Sequence, residues 1–203
     1  MGAILSNLRN TVIAGLALMV VMIIVVGATA GFPDFGGKPW ATFIIRWLHV
    51  VSGVMWVGLL WYFNFVQIPT MPKIPDEQKG AIGGHIAPVA LFWFRWGAMG
   101  TIVFGLILAW MNGYLVEAIK LGIGEGNASV TAIGVGMWMG AIMWFNVWFV
   151  IWPNQKKALG IVEASADEKK AAARTAMLFS RTNTLLSFPM LYCMVAAQNG
   201  GFG

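Results

Sequence analysis

The sequence predicts an all-α integral membrane protein of five transmembrane helices, a duplicated helical-hairpin core (a four-helix bundle) plus a peripheral N-terminal helix. Three observations predict it. Of 203 residues, 59% are hydrophobic and 10% charged, with a mean hydropathy of +0.74. A soluble core needs a charged exterior, and this chain cannot supply one. Apolar runs long enough for about 30 Å of hydrocarbon recur along the chain. Two of those runs share one motif at a fixed offset. The 25 glycines and 11 tryptophans suit close helix approach and interfacial anchoring.

The first span covers residues 11–31. Arg9 and the Ala28-Thr29-Ala30 triplet give it a signal-peptide look, but the run is long enough to cross, so an uncleaved anchor is expected. A turn-rich loop follows to Trp40. Residues 1–40 are thus the anchor and its short outer loop, and residues 41–203 the four-helix domain. The second span covers 41–67, and Pro69, Pro72 and Pro75 are expected to break it. A polar loop at 70–84 leads to the third span, 86–111. Residues 112–130 read as a glycine-rich loop holding a short surface helix near Tyr114–Leu121. The fourth span, 131–152, is expected to close at Pro153. The fifth ends near Gln198, and good helix formers at 164–174 extend it outward.

Charge orients the spans. Arg9, Lys73, Lys79, Lys156, Lys157, Lys169, Lys170 and Arg174 lie on one side, and Lys38 and Lys120 on the other. This positive-inside bias predicts a cytoplasmic N-terminus and a periplasmic C-terminus in a bacterial inner membrane. It also accounts for the net charge of +5 with no nucleic-acid partner.

Met55-Trp56-Val57-Gly58 precedes Phe63-Asn64, and Met137-Trp138-Met139-Gly140 precedes Phe145-Asn146 at the same spacing, 82 residues on. The following spans carry Arg95 and Arg181. Parallel repeats of a hairpin explain this pattern. The repeat brings Asn64, Arg95, Asn146, Arg181 and Asn183 to similar depth. Every carboxylate lies outside the spans, so these arginines need amides, carbonyls, aromatic faces, water or an anion. Such a cluster could hold a quinone head group or haem propionates. Equally, its members could hydrogen-bond one another and hold the bundle together.

The second span places Arg46, His49, Gly53, Trp56, Leu60 and Asn64 on one stripe roughly 80° wide. His49 lies at membrane depth. One reading makes it the metal ligand of a b-type haem, with Gly53 leaving room for the porphyrin. The other makes it a neutral imidazole bonded to a neighbouring helix. His85 starts the third span roughly 20 Å or more away, so a second ligand would be a methionine such as Met55 or Met137, or come from another subunit. Cys193 stands alone, so no CxxCH haem-attachment motif occurs.

Several blocks carry a family resemblance. They run from Trp47-Leu48-His49 to Trp61-Tyr62-Phe63-Asn64, through Phe94-Arg95-Trp96 and Ile151-Trp152-Pro153-Asn154-Gln155-Lys156, to Ser180-Arg181-Thr182-Asn183-Thr184. Over residues 41–198 the chain resembles the membrane domain of the bacterial cytochrome-linked urate oxidase (urate hydroxylase) family. That family joins such a domain to a C-terminal cytochrome c and is implicated in oxidising urate to 5-hydroxyisourate. The resemblance implies a membrane redox component exchanging electrons with a separate c-type cytochrome. The alternative is a non-catalytic accessory subunit of a larger membrane complex. Either reading has membrane lipids and other membrane-protein subunits, or further copies of the chain, as partners.

Overall fold

The computed structural model describes residues 2–123 and 127–201. Part of the expected glycine-rich loop, 124–126, lies outside the described residues, as do the extreme ends. The chain divides into two compact units, Met1–Phe43 and Ile44–Gly203.

In the first unit a single helical turn, Gly2–Leu5, leads into α1, Leu8–Ala30. Asn7 caps α1 by accepting a hydrogen bond from the Asn10 N–H at 3.3 Å, satisfying one of the donors a helix start leaves open. The helix stops at Gly31, whose φ of +96° suits only a residue without Cβ. Beyond it Trp40 packs edge-on to Phe35 at 4.9 Å and against Phe43 at 5.4 Å.

From here the chain is almost continuously helical, with no strand among the described residues. The elements are α2 (Lys38–Lys73), α3 (Asp76–Met111), α4 (Leu115–Ile119), α5 (Ala128–Ala158) and α6 (Ala166–Asn199). The expected short helix after Tyr114 is α4, closed onto α5 by the Trp138 indole N–H, which donates to the Ile119 carbonyl at 3.0 Å. The expected outward extension of the fifth helix is also present. Ser165 and Glu168 form a reciprocal capping box at its start.

One expectation needs correction. Pro69, Pro72 and Pro153 do not end their helices: α2 runs through Pro69 and Pro72 to Lys73 and breaks, as expected, at Pro75, α3 begins at Asp76 inside the expected loop, and α5 passes Pro153 to Ala158. The reason is a local change of helical register. Tyr62–Gln67, Ile82–Ile86 and Asn146–Ile151 are π-helical, each ending two residues before a proline. The residue preceding Pro69, Pro88 or Pro153 donates its N–H five residues back, to Phe63, Ile82 or Val147 respectively. The widened turn relieves the clash between a proline ring and the carbonyl four residues earlier, so the helix continues.

Four helices, α1, α2, α3 and α5, are long and apolar enough to cross a membrane. The fifth, α6, has 34 residues, but Ser180-Arg181-Thr182-Asn183-Thr184 in its middle takes it out of that class.

The core of the second unit joins Trp56, Leu60 and Phe63 of α2, Leu91, Phe94 and Ala98 of α3, and Met143, Val147 and Ile151 of α5. Ala176 and Met190 of α6 complete it. Around it stands a shell of exposed apolar side chains such as Val54, Phe92, Trp110, Phe149 and Leu185. Lipid is the natural solvent for that shell. In lipid the core gains through close packing rather than through removal from water. Gly97 serves this end: a Cβ there would lie 3.1 Å from the backbone nitrogen of Trp56, so only glycine lets α2 and α3 come so close.

Candidate functional site

Polar side chains on α6 form a ladder across the bundle. The Asn64 amide donates to the Ser180 hydroxyl at 2.8 Å, and the Asn146 amide to Asn183 Oδ1 at 2.8 Å. Asn183 in turn donates to the Met143 carbonyl at 2.9 Å. One turn further the Trp61 indole N–H donates to Ser187 at 3.0 Å. Ser180, Asn183 and Ser187 are all buried and share one helix face by their spacing. Thus the two repeat-related asparagines bind α6 at adjacent turns. Three of the five residues of the expected polar cluster, Asn64, Asn146 and Asn183, are partnered by the protein itself.

The two arginines of that cluster stand apart from the ladder. Arg181 is exposed. Arg95 lays its guanidinium over the Trp152 ring, 3.4 Å from the centroid. This is a cation–π contact of the kind a charge at membrane depth requires in the absence of acids. Its Nη1 is buried without a hydrogen-bond partner, as are Asn64 Oδ1, Gln67 Oε1 and Gln155 Oε1.

At the Tyr114 end of the bundle the stripe expected from the sequence is assembled. Arg46, His49, Gly53 and Trp56 all line one cavity of about 920 Å³, within the range of small-molecule and cofactor sites. α3 contributes Thr101 and Gly105 to its walls, α5 contributes Met137, Gly140 and Trp144, and α6 contributes Met190 and Met194. Tyr114 and Arg46 line it too. Burial pushes the Tyr114 phenol up from its ordinary pKa, against the opposing pull of Arg46. The phenol therefore stays neutral at physiological pH.

His49 is oriented by α3. Its Nδ1 lies 2.8 Å from the Thr101 carbonyl. A carbonyl only accepts, so Nδ1 carries the proton and Nε2 keeps its lone pair. Gly105 makes the seat, since a Cβ there would stand 2.9 Å from His49 Cε1. Both readings of His49 thus meet in one geometry: the imidazole is bonded to a neighbouring helix, and that bond leaves the other nitrogen for a ligand. Among the expected second ligands, Met137 lines the cavity, whereas Met55 packs its Cγ near Gly97 and is absent from the walls. His85 is exposed in the π turn of α3. Among the described residues no three His, Cys, Asp or Glu side chains gather as a metal cluster.

The sequence reading missed Thr101, Gly105, Tyr114 and Trp144. A signal for the first two exists: Gly97, Thr101 and Gly105 recur every fourth residue, a small-residue stripe on the face of α3 turned to α2.

Residues 120–200 match the urate oxidase N-terminal family model. The match takes in α5 and α6 and hence most of the polar ladder, and it covers less than half of the chain. The protein resembles the urate oxidase N-terminal domain over that part. The stretch from Arg46 to Trp56 lies outside the match, so the His49 site stands on its own geometry. No curated protein and no solved structure matches the chain.

Proposed function

We propose that this protein is a membrane redox component of the urate-oxidase-like type, exchanging electrons with a separate c-type cytochrome. One observation carries the reading: His49, fixed through Nδ1 by the Thr101 carbonyl, offers Nε2 within an apolar cavity of about 920 Å³. A histidine held by a carbonyl on one nitrogen and free on the other is the usual arrangement of a metal-ligating imidazole. The residues fit a b-type haem. His49 would ligate its iron, Met137 lines the same cavity, and Arg46 would face its carboxylates. Bound there, haem supplies a reversible one-electron couple. The chain's own residues do the rest. Thr101 and Gly105 hold the imidazole in one tautomer and rotamer, and the aliphatic and tryptophan lining excludes water.

The reading includes five spans, with α6 as the fifth. Its polar residues Ser180, Asn183 and Ser187 are turned inward and bonded, which removes their cost in lipid. The basic residues argue for a cytoplasmic N-terminus and periplasmic C-terminus in a bacterial inner membrane. A duplicated hairpin is supported by the π turns Tyr62–Gln67 and Asn146–Ile151, each containing the motif asparagine, and by the parallel roles of Asn64 and Asn146.

A reduced-minus-oxidised spectrum of the purified protein tests the function. A Soret and an α band present in the wild type and lost in His49→Ala support it. Absence of both bands at full occupancy would overturn it. The polar ladder favours a second reading, because it commits the amides of Asn64, Asn146 and Asn183 to bonds between helices. On that reading the chain is an accessory subunit, and it would co-purify with a larger membrane complex and carry no chromophore.

A further inference from the structure

The seam between α3 and α5 carries two cations that the proposed function does not use. Arg95 of α3 and Lys156 of α5 both bear on the Trp152 ring. The guanidinium carbon lies 3.4 Å from the ring centroid and the Lys156 ammonium 5.7 Å from it. Neither has an acid. The one ion pair among the described residues is Lys79 with Asp76, at the start of α3. Both Arg95 and Lys156 are half-buried. Like charges gathered at one indole repel each other, and the ring face offsets only part of that cost.

We propose that this seam binds the phosphate of an anionic phospholipid from the leaflet on the lysine-rich side of the bundle. The seam touches neither His49 nor the cavity, so its lipid is independent of the redox reading. The donors are within reach. Arg95 Nη1 is shut inside the packing, but it is the only Arg95 nitrogen so buried. The rest of the guanidinium and the Lys156 ammonium stay open to an acceptor. A guanidinium fork beside an ammonium suits phosphate, the first by paired bonds and the second as a point charge.

The level is right for a head group. Lys156 stands in the last turn of α5, where the helix leaves its apolar segment. Trp152 is four residues earlier, so Arg95 meets the same site one turn further in. Deeper again, Trp96 of α3 and Trp148 of α5 close the seam edge-on at 5.7 Å. Trp96 and the neighbouring Phe149 are exposed and offer acyl chains an aromatic surface. A water-borne phosphate would leave that surface uncovered. A phospholipid covers it and brings the anion to the cations.

Native mass spectrometry of the protein released from mixed micelles with equal amounts of phosphatidylglycerol and phosphatidylcholine tests the site. The wild type is expected to retain one phosphatidylglycerol in preference to phosphatidylcholine. Lys156→Gln should weaken that retention about fivefold and Arg95→Gln at least as much. Arg95→Lys, which keeps the charge and loses the fork, should fall between Arg95→Gln and the wild type. Lys73→Gln, on α2 and outside the seam, should leave the preference unchanged. Equal retention of the two lipids by the wild type overturns the inference. So does undiminished retention by either Gln variant with its helicity intact, and Lys156→Gln decides where Arg95→Gln does not fold. Displacement of the lipid by inorganic phosphate would assign the seam to a free anion and overturn the lipid.

Discussion

Asn183 shows how a single amide can hold a helix that is too polar for lipid. It is fully buried, accepts from Asn146 and donates to the Met143 carbonyl. Removing it leaves the buried Asn146 amide without its acceptor, at a cost of about 1–3 kcal/mol in the unfavourable limit, while the Met143 carbonyl keeps the Asn146 backbone N–H. Bonds between membrane helices typically measure lower, about 0.6 kcal/mol. Asn183→Ala should therefore destabilise the protein by about 1–2 kcal/mol in a reversible detergent-unfolding titration. Asn64→Ala should cost less, because Asn64 is only half-buried and one of its two bonds runs to its own helix at Leu60. Equal losses would mean that burial does not set the difference. Glu168 makes a pH-dependent contact of the same local kind. The backbone and side chain of Ser165 hold its carboxyl below the usual carboxylate range. A depressed folded pKa gives stability that is present above the unfolded value, about 4.3, and lost as pH falls through the folded one. Protection factors of the amides in the first turn of α6 should accordingly fall below about pH 4 and hold steady between pH 5 and 8, once each rate is divided by the unstructured rate at the same pH. The exposed position keeps the effect local.

The elements differ from the sequence reading chiefly at the prolines. Apolar length and periodicity made every long helix legible, and the helix formers at 164–174 marked the outward start of α6. What the letters did not carry was the π register before Pro69, Pro88 and Pro153, because it belongs to backbone bonds spanning five residues and leaves no change in apolar pattern. A proline reads as a stop only if the α register is assumed. Pro153→Ala should therefore leave the far-ultraviolet helicity of the protein unchanged, since the helix already continues to Ala158. A rise in helicity would mean that Pro153 does end α5 in solution. The site follows the same logic. The stripe from Arg46 to Trp56 lies on one helix and was readable from spacing. Thr101, Gly105 and Trp144 come from other helices and needed the packing. Arg95 was rightly expected to need an aromatic face, amide, carbonyl or anion, but which of these could not be known before Trp152 was seen above it.

At the scale of the molecule, the two ends of the bundle have different chemistry. One end carries Arg46, Tyr114 and the His49 part of the cavity. The other carries the extensions of α2, α3, α5 and α6 past their apolar segments, with Lys73, Lys79, Lys156, Lys157, Lys169 and Lys170. Lysine on an extended helix end reaches water at low cost, whereas the same charge carried across the bilayer does not. The asymmetry makes a prediction about orientation that no contact within the protein can make. Cys193 is buried, so engineered cysteines report without interference from it. In spheroplasts treated with a membrane-impermeant maleimide, Lys120→Cys should label directly, and Lys157→Cys only after lysis. Labelling of both before lysis would mean that α5, which lies between them, does not cross. On the proposed five-span reading, in which α6 carries the chain back across despite its polar centre, Gly201→Cys should behave like Lys120→Cys. If it labels only after lysis, α6 turns back within the membrane, and the Ser180–Asn64 and Asn183–Asn146 bonds would then close a hairpin rather than brace a fifth span.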